Sequence, residues 1–202
     1  ATAIALLALS PGRAHDLPGH HGPTYEVTPA IDATARPRHL RLEIVDTATG
    51  QPTAARFSLL IDGRDFVPDG LGPGGLRFVS IHAGRKQRFT ACYARGTGPV
   101  EVPLPADARQ VVVQAVKGFE YEPMEASAAV DGPVATLTLR LRRWTDLPAR
   151  GWIPVEEHAH YDRPDPAHDA DWLTMLAGDD LGQAHFLVLR GGNLPGVWAA
   201  QY

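Results

Sequence analysis

Leu137-Thr138-Leu139-Arg140-Leu141-Arg142 alternates an aliphatic side chain with a polar one, and this alternation decides the fold class. Successive side chains of an extended chain point to opposite faces, so a period of two marks a strand with one buried and one solvated face. Upstream the same pattern begins at Arg38, where Leu40, Leu42 and Ile44 alternate with Arg41 and Glu43. Further strand-like runs fall at 55–61, 76–82, 87–94, 100–104, 110–116, 126–130 and 134–142. Turn-forming residues separate them, notably at 46–52 and in the Gly- and Pro-rich stretch 62–75, which reads as a loop. About eight short strands at such spacing predict an antiparallel β-sandwich. His82 and Cys92, both within this region, read as structural or incidental.

Downstream of Trp144 the pattern changes. Residues 144–150 read as a linker. Gly151-Trp152-Ile153-Pro154-Val155-Glu156-Glu157-His158-Ala159-His160-Tyr161-Asp162 then begins as a strand and ends in polar residues. A Pro-containing loop at 162–166 precedes a predicted helix from about 170 to 181, with Asp169 as its cap and Gly182 beyond its end. Trp172, Leu173, Leu176 and Leu181 form its expected apolar stripe. The compact apolar run 184–189 suits a buried parallel strand. Strand, helix, strand makes a βα unit, the start of an α/β layer or barrel. His158 and His160 lie at the C-terminal end of its first strand, where βα barrels keep their chemistry. On an unbroken strand, residues two apart share a side, so both imidazoles can grip one metal ion. A pair of solvated loop histidines is the competing reading of the same residues.

The N-terminus opens on Ala1-Thr2-Ala3-Ile4-Ala5-Leu6-Leu7-Ala8-Leu9-Ser10, too short an apolar run to span a membrane. With Gly12 and Ala14 behind it, it reads as the back half of a secretory signal peptide cleaved after Ala14. A secreted or periplasmic location is the expectation, with no membrane span in the mature protein. The single Cys92 allows no internal disulfide. The formal net charge of -4 and the lack of a basic stripe argue against nucleic acid as a partner. The sequence does not indicate an oligomeric state.

The 151–162 segment resembles the start of the catalytic domain of carbaryl-hydrolase-like (CehA/McbA-type) metallohydrolases, in the polymerase-and-histidinol-phosphatase (PHP) superfamily. That superfamily opens on roughly Asp-x-His-x-His. Lys117-Gly118-Phe119-Glu120-Tyr121-Glu122-Pro123, Leu139-Arg140-Leu141-Arg142-Arg143-Trp144 and Met175-Leu176-Ala177-Gly178-Asp179-Asp180-Leu181-Gly182 are similar to the same family. The likeness covers roughly 38–202. It implies that His158 and His160 are the first two metal ligands in a distorted βα barrel. It also implies a metal-activated water that cleaves ester, carbamate or phosphoester bonds of a small-molecule substrate. Two departures stand out. Glu156 replaces the usual Asp; it reads as catalytic, orienting a histidine or approaching the metal. Leu189-Arg190-Gly191-Gly192-Asn193 stands where many superfamily members have Asp-His. Asp180 and Asp162 are lesser candidates, read first as a solvated helix-end carboxylate and a turn residue. The metal is a divalent ion, with Zn, Mn and Fe all compatible with imidazole.

The expected organisation is a signal-peptide remnant at 1–14, a flexible leader at 15–37, the β-sandwich at 38–143, a linker at 144–150, and the incomplete start of a PHP-like domain at 151–202. The chain reads as the N-terminal part of a larger hydrolase, inactive as 202 residues. Two other readings compete. One is a non-catalytic exported β-sandwich binding a glycan, a protein or the cell surface. The other is a metal carrier using His15, His20, His21, His158 and His160.

Overall fold

The computed structural model describes residues 24–82, 87–159, 163, 165–187, 189–190 and 197–198. The chain is mostly β, and each strand foreseen between Arg38 and Arg142 forms. In chain order they are β1 (Thr24–Thr28), β2 (His39–Asp46), β3 (Ala54–Ile61), β4 (Arg64–Phe66), β5 (Gly75–His82), β6 (Gln87–Arg95), β7 (Val100–Pro103), β8 (Gln110–Val116), β9 (Met124–Ala129) and β10 (Val134–Leu141). Seven of them make one antiparallel sheet in the order β1-β5-β6-β3-β8-β9, with β4 paired to β3. The other three make a second sheet, β10-β2-β7.

Period-two patterning places one row from β2, β3, β7, β8 and β10 between the sheets. Leu40, Leu42 and Ile44 of β2, Phe57 and Leu59 of β3, and Val100 and Val102 of β7 are buried there. Val111 and Val113 of β8 and Leu139 and Leu141 of β10 complete the layer. Each such side chain contributes about 1.5–3 kcal/mol of transfer free energy, which is why polar residues are displaced to the outer faces. Cys92 lies in this core, and burial pushes its thiol up to about 11, so it behaves as a small apolar residue.

Three details differ from the sequence reading. First, β10 runs parallel to β2, from Val134↔His39 to Leu141↔Asp46. The pairing is permitted because the intervening strands supply the long crossover a parallel pair needs. Second, residues read as a leader are structured from Thr24 onward. β1 extends the large sheet at β5, Ala33 is buried, and the Ile31 N–H donates to the Leu71 carbonyl at 2.9 Å. Third, the 62–75 stretch contains β4. Asp62 and Gly63, with φ of 49° and 77°, close a two-residue hairpin from β3. Positive φ at both central residues is what Asp-Gly supplies most cheaply.

Beyond the sandwich, β11 (Val155–Ala159), helix α1 (Asp169–Gly178) and β12 (Gln183–Phe186) form the predicted strand–helix–strand unit, with β11 and β12 parallel. Two short strands, β13 (Leu189–Arg190) and β14 (Val197–Trp198), pair antiparallel after it. The helix ends earlier than 181 because Asp180 takes the left-handed conformation, φ 56°, and the Leu181 N–H returns to the Leu176 carbonyl at 2.8 Å. Its buried line is Trp172, Met175 and Gly178, whereas Leu173 is 64% exposed. Gly182 has a packing role rather than a capping one. A Cβ there would lie 2.7 Å from Ile153 Cγ2.

Candidate functional site

Helix α1 lies on the outer face of the seven-stranded sheet, where Leu76, Phe78 and Tyr93 form an apolar patch. Trp172 and Met175 pack on that patch. The Trp172 ring stands edge-on between Phe78 at 5.8 Å and Phe186 at 5.2 Å, a geometry that aromatic quadrupoles favour. Polar contacts frame the contact zone. Arg95 reaches Asp171 at 2.8 Å and Thr174 at 3.3 Å, and the Tyr93 hydroxyl donates to Asp179 at 3.1 Å.

At the C-terminal end of α1 a charged cluster joins the helix to the sandwich. Lys117, at the end of β8, is buried. Its Nζ donates to the Ala54 carbonyl at 3.0 Å and to the Ala177 carbonyl. Asp180 accepts from Arg143 at 3.0 Å and stands 3.9 Å from Lys117. Arg143 also pairs with Glu120 at 2.6 Å and lies 4.4 Å from the Tyr121 ring centroid. Tyr121 in turn donates to Asp46 at 2.6 Å. Burial lowers the Lys117 ammonium, although Asp180 partly restores it. Burial likewise raises the Asp180 carboxyl against the pull of Arg143 and Lys117. The Tyr121 hydroxyl is pushed up to about 12 by burial and by its bond to Asp46. Gly118, φ 52°, permits the approach: a Cβ there would lie 2.6 Å from the Asp180 Cβ. Asp180, read as a solvated carboxylate, is thus a half-buried ion-pair partner. Lys117, Glu120 and Arg143 went unrecognised as an interface, because only the fold brings them to the helix end.

The candidate metal ligands lie on β11. Val155 and Glu156 pair with Gln183 and Ala184, but Ala159 pairs with Phe186, so Glu157 and His158 face His185 alone. This is a β-bulge, a feature that re-aims side chains and is frequent beside active sites. It sets two residues of β11, Glu157 and His158, against one of β12. His158 is exposed at the bulge, and its backbone N–H donates to Glu156 Oε1 at 2.9 Å. Glu156 and Ala159 both line a cleft of about 730 Å³ between the outer sheet face and the βα unit. His160 and Asp162 lie outside the described residues, as do His15, His20 and His21. Among the described residues, no group of three or more His, Cys, Asp or Glu is arranged to hold a metal ion. Nor is any helix among them long and apolar enough to cross a membrane.

The chain matches no family model, no curated protein and no solved structure.

Proposed function

We propose that this chain carries the first βα unit of an exported, PHP-like metal-dependent hydrolase of the carbaryl-hydrolase-like type, secreted or periplasmic. In this reading His158 and His160 hold a divalent Zn, Mn or Fe ion. The observation that carries it is the parallel β11–α1–β12 unit, with His158 on the C-terminal half of its first strand and Glu156 two residues before it. The donor chemistry fits: imidazole and carboxylate suit a borderline divalent cation, and His158 is a solvent-exposed residue. The bound ion supplies a water of lowered pKa and polarises the scissile carbonyl or phosphoryl oxygen. Glu156 Oε1 accepts from the His158 N–H, and with a metal bound its other carboxylate oxygen would orient a ligand imidazole. The substrate class is an ester, carbamate or phosphoester.

Metal content of the chain, and ester hydrolysis by the longer hydrolase that would contain it, compared with His158→Ala and His160→Ala, test this. Loss of bound metal in both variants, with folding intact by circular dichroism, supports the proposal. Unchanged metal content or full activity in His158→Ala refutes it. The second reading, a non-catalytic binding module, draws on the exposed rings of Phe119, Trp144 and Trp152. It predicts ligand binding that neither histidine variant changes.

A further inference from the structure

The cleft has two unlike walls. From the sandwich come Ser58, Phe78, Ser80, Phe89 and Ala91, all on the outer face of the large sheet. From the βα unit come Glu156, Ala159, Trp172, Met175, Ala184 and Phe186. At about 730 Å³ it falls within the range of roughly 300–1,000 Å³ usual for small-molecule sites. Its apolar lining is interrupted by polar groups, chiefly Ser58, Ser80, Gln114 and Glu156. Phe89 lines it with 58% of its surface exposed, so its ring is open to whatever enters the cleft.

The charges of the lining narrow the ligand. Among the described lining residues, Arg56 is the cation, and Asp179 lies 3.6 Å from its Nε, so its charge is matched within the wall. Asp179 is further fixed by the Tyr93 hydroxyl. Glu156 then leaves the lining with a net negative charge. An anion entering this cleft meets the solvent-exposed Glu156 carboxylate and is repelled by it. A neutral ring system meets Phe89, Phe186 and Met175, and loses little hydration of its own.

We infer that this cleft binds a neutral, flat, largely apolar small molecule, and that the sandwich supplies half of the binding surface. The role of that molecule as the non-reacting body of the substrate rests on the hydrolase reading, since Glu156 stands in the same cleft. Binding itself requires no metal. The sandwich is thereby a specificity element, with Phe89 and Ala91 choosing which ring systems fit beside the β11 bulge.

Fluorescence titration of the full chain after chelation of metal tests this, with Nile red as the neutral flat probe and 1-anilinonaphthalene-8-sulfonate as the anionic one. Saturable one-to-one binding of Nile red is expected, at least tenfold tighter than binding of the anion. Ala91→Trp fills the cleft from the sheet side and should weaken Nile red at least tenfold. Phe89→Ala, at an exposed position that leaves the core intact, should weaken it about fivefold. It keeps the test decisive if Ala91→Trp does not fold. Equal Nile red affinity in the parent chain and in folded variants overturns the inference. So does an absence of saturable binding, or a preference for the anion. Nile red binding in a chain that never takes up metal would sustain the cleft and sink the hydrolase reading. Metal uptake without Nile red binding would do the reverse.

Discussion

Asp180→Asn is the sharpest probe of the junction between helix and sandwich. Asn keeps the side-chain shape and tolerates the left-handed backbone at φ 56°, so the substitution removes charge and little else. At an effective dielectric of about 20, charges separated by 3.9 Å and 3.0 Å, as Lys117 and Arg143 are from Asp180, attract by about 4 and about 5–6 kcal/mol. Desolvation offsets much of this, as the lowered Lys117 and raised Asp180 pKa values show. Losing the carboxylate leaves two cations facing each other in a buried site, with Glu120 matched to Arg143 alone. The expected cost is about 3–5 kcal/mol. Lys117→Met gives up the donations to Ala54 and Ala177 but also removes a desolvated ammonium, for about 1–3 kcal/mol. The two costs should not add. Lys117→Met/Asp180→Asn should be no less stable than Asp180→Asn alone, because removing the second cation relieves the repulsion created by the first change. Urea denaturation followed by tryptophan fluorescence measures all three. A double variant whose loss equals the sum of the single losses within about 0.5 kcal/mol would refute this account of the cluster.

Two further outcomes follow from the same interface. Trp172→Ala should cost about 3–5 kcal/mol and expose α1 to limited proteolysis before the sandwich, because the indole fills the gap between Phe78 and Phe186. Unaltered protease resistance of α1 would show that the helix is held elsewhere. Tyr121 is raised from 10.0 to about 12 in the folded chain, so the folded state holds the phenolic proton more tightly. Its contribution is fully present below pH 10 and is lost as pH rises from 10 towards 12. Lys117, with a lowered pKa, acts in the opposite direction below 10.5, so the Tyr121 effect is read as a difference. Tyr121→Phe should flatten the alkaline loss of thermal stability relative to the parent chain; parallel curves would count against the assignment.

The sandwich strands were legible because each carries a private record of its environment. Leu40, Leu42 and Ile44 alternate with polar residues whatever they pair with, so the element is readable before its partner is known. The same local chemistry was present, and overlooked, at Asp62-Gly63, where an Asp-Gly pair between strand-like runs signals a hairpin. β1 carried too little pattern to separate it from the residues before it. The metal-site reading rested on the spacing of His158 and His160; the register shift at Glu157 and His158 lies just before that pair, and His160 is outside the described residues. A bulge is set by the parallel partner β12 and leaves no mark in the sequence of β11 alone.

By itself, then, the sequence determined the β-rich class, nearly all strand positions, the strand–helix–strand order after Trp144 and the placement of His158 late in β11. These follow from side-chain periodicity and turn chemistry, which act over a few residues. Only the tertiary structure decided that β10 joins β2 in parallel, that α1 rests on Phe78 and Tyr93, and that Lys117, Arg143 and Asp180 meet. It alone decided that a cleft opens between Phe89 and Glu156. Such contacts join residues far apart in the chain, and their energies come from the shape and charge of surfaces that exist only once both elements have formed.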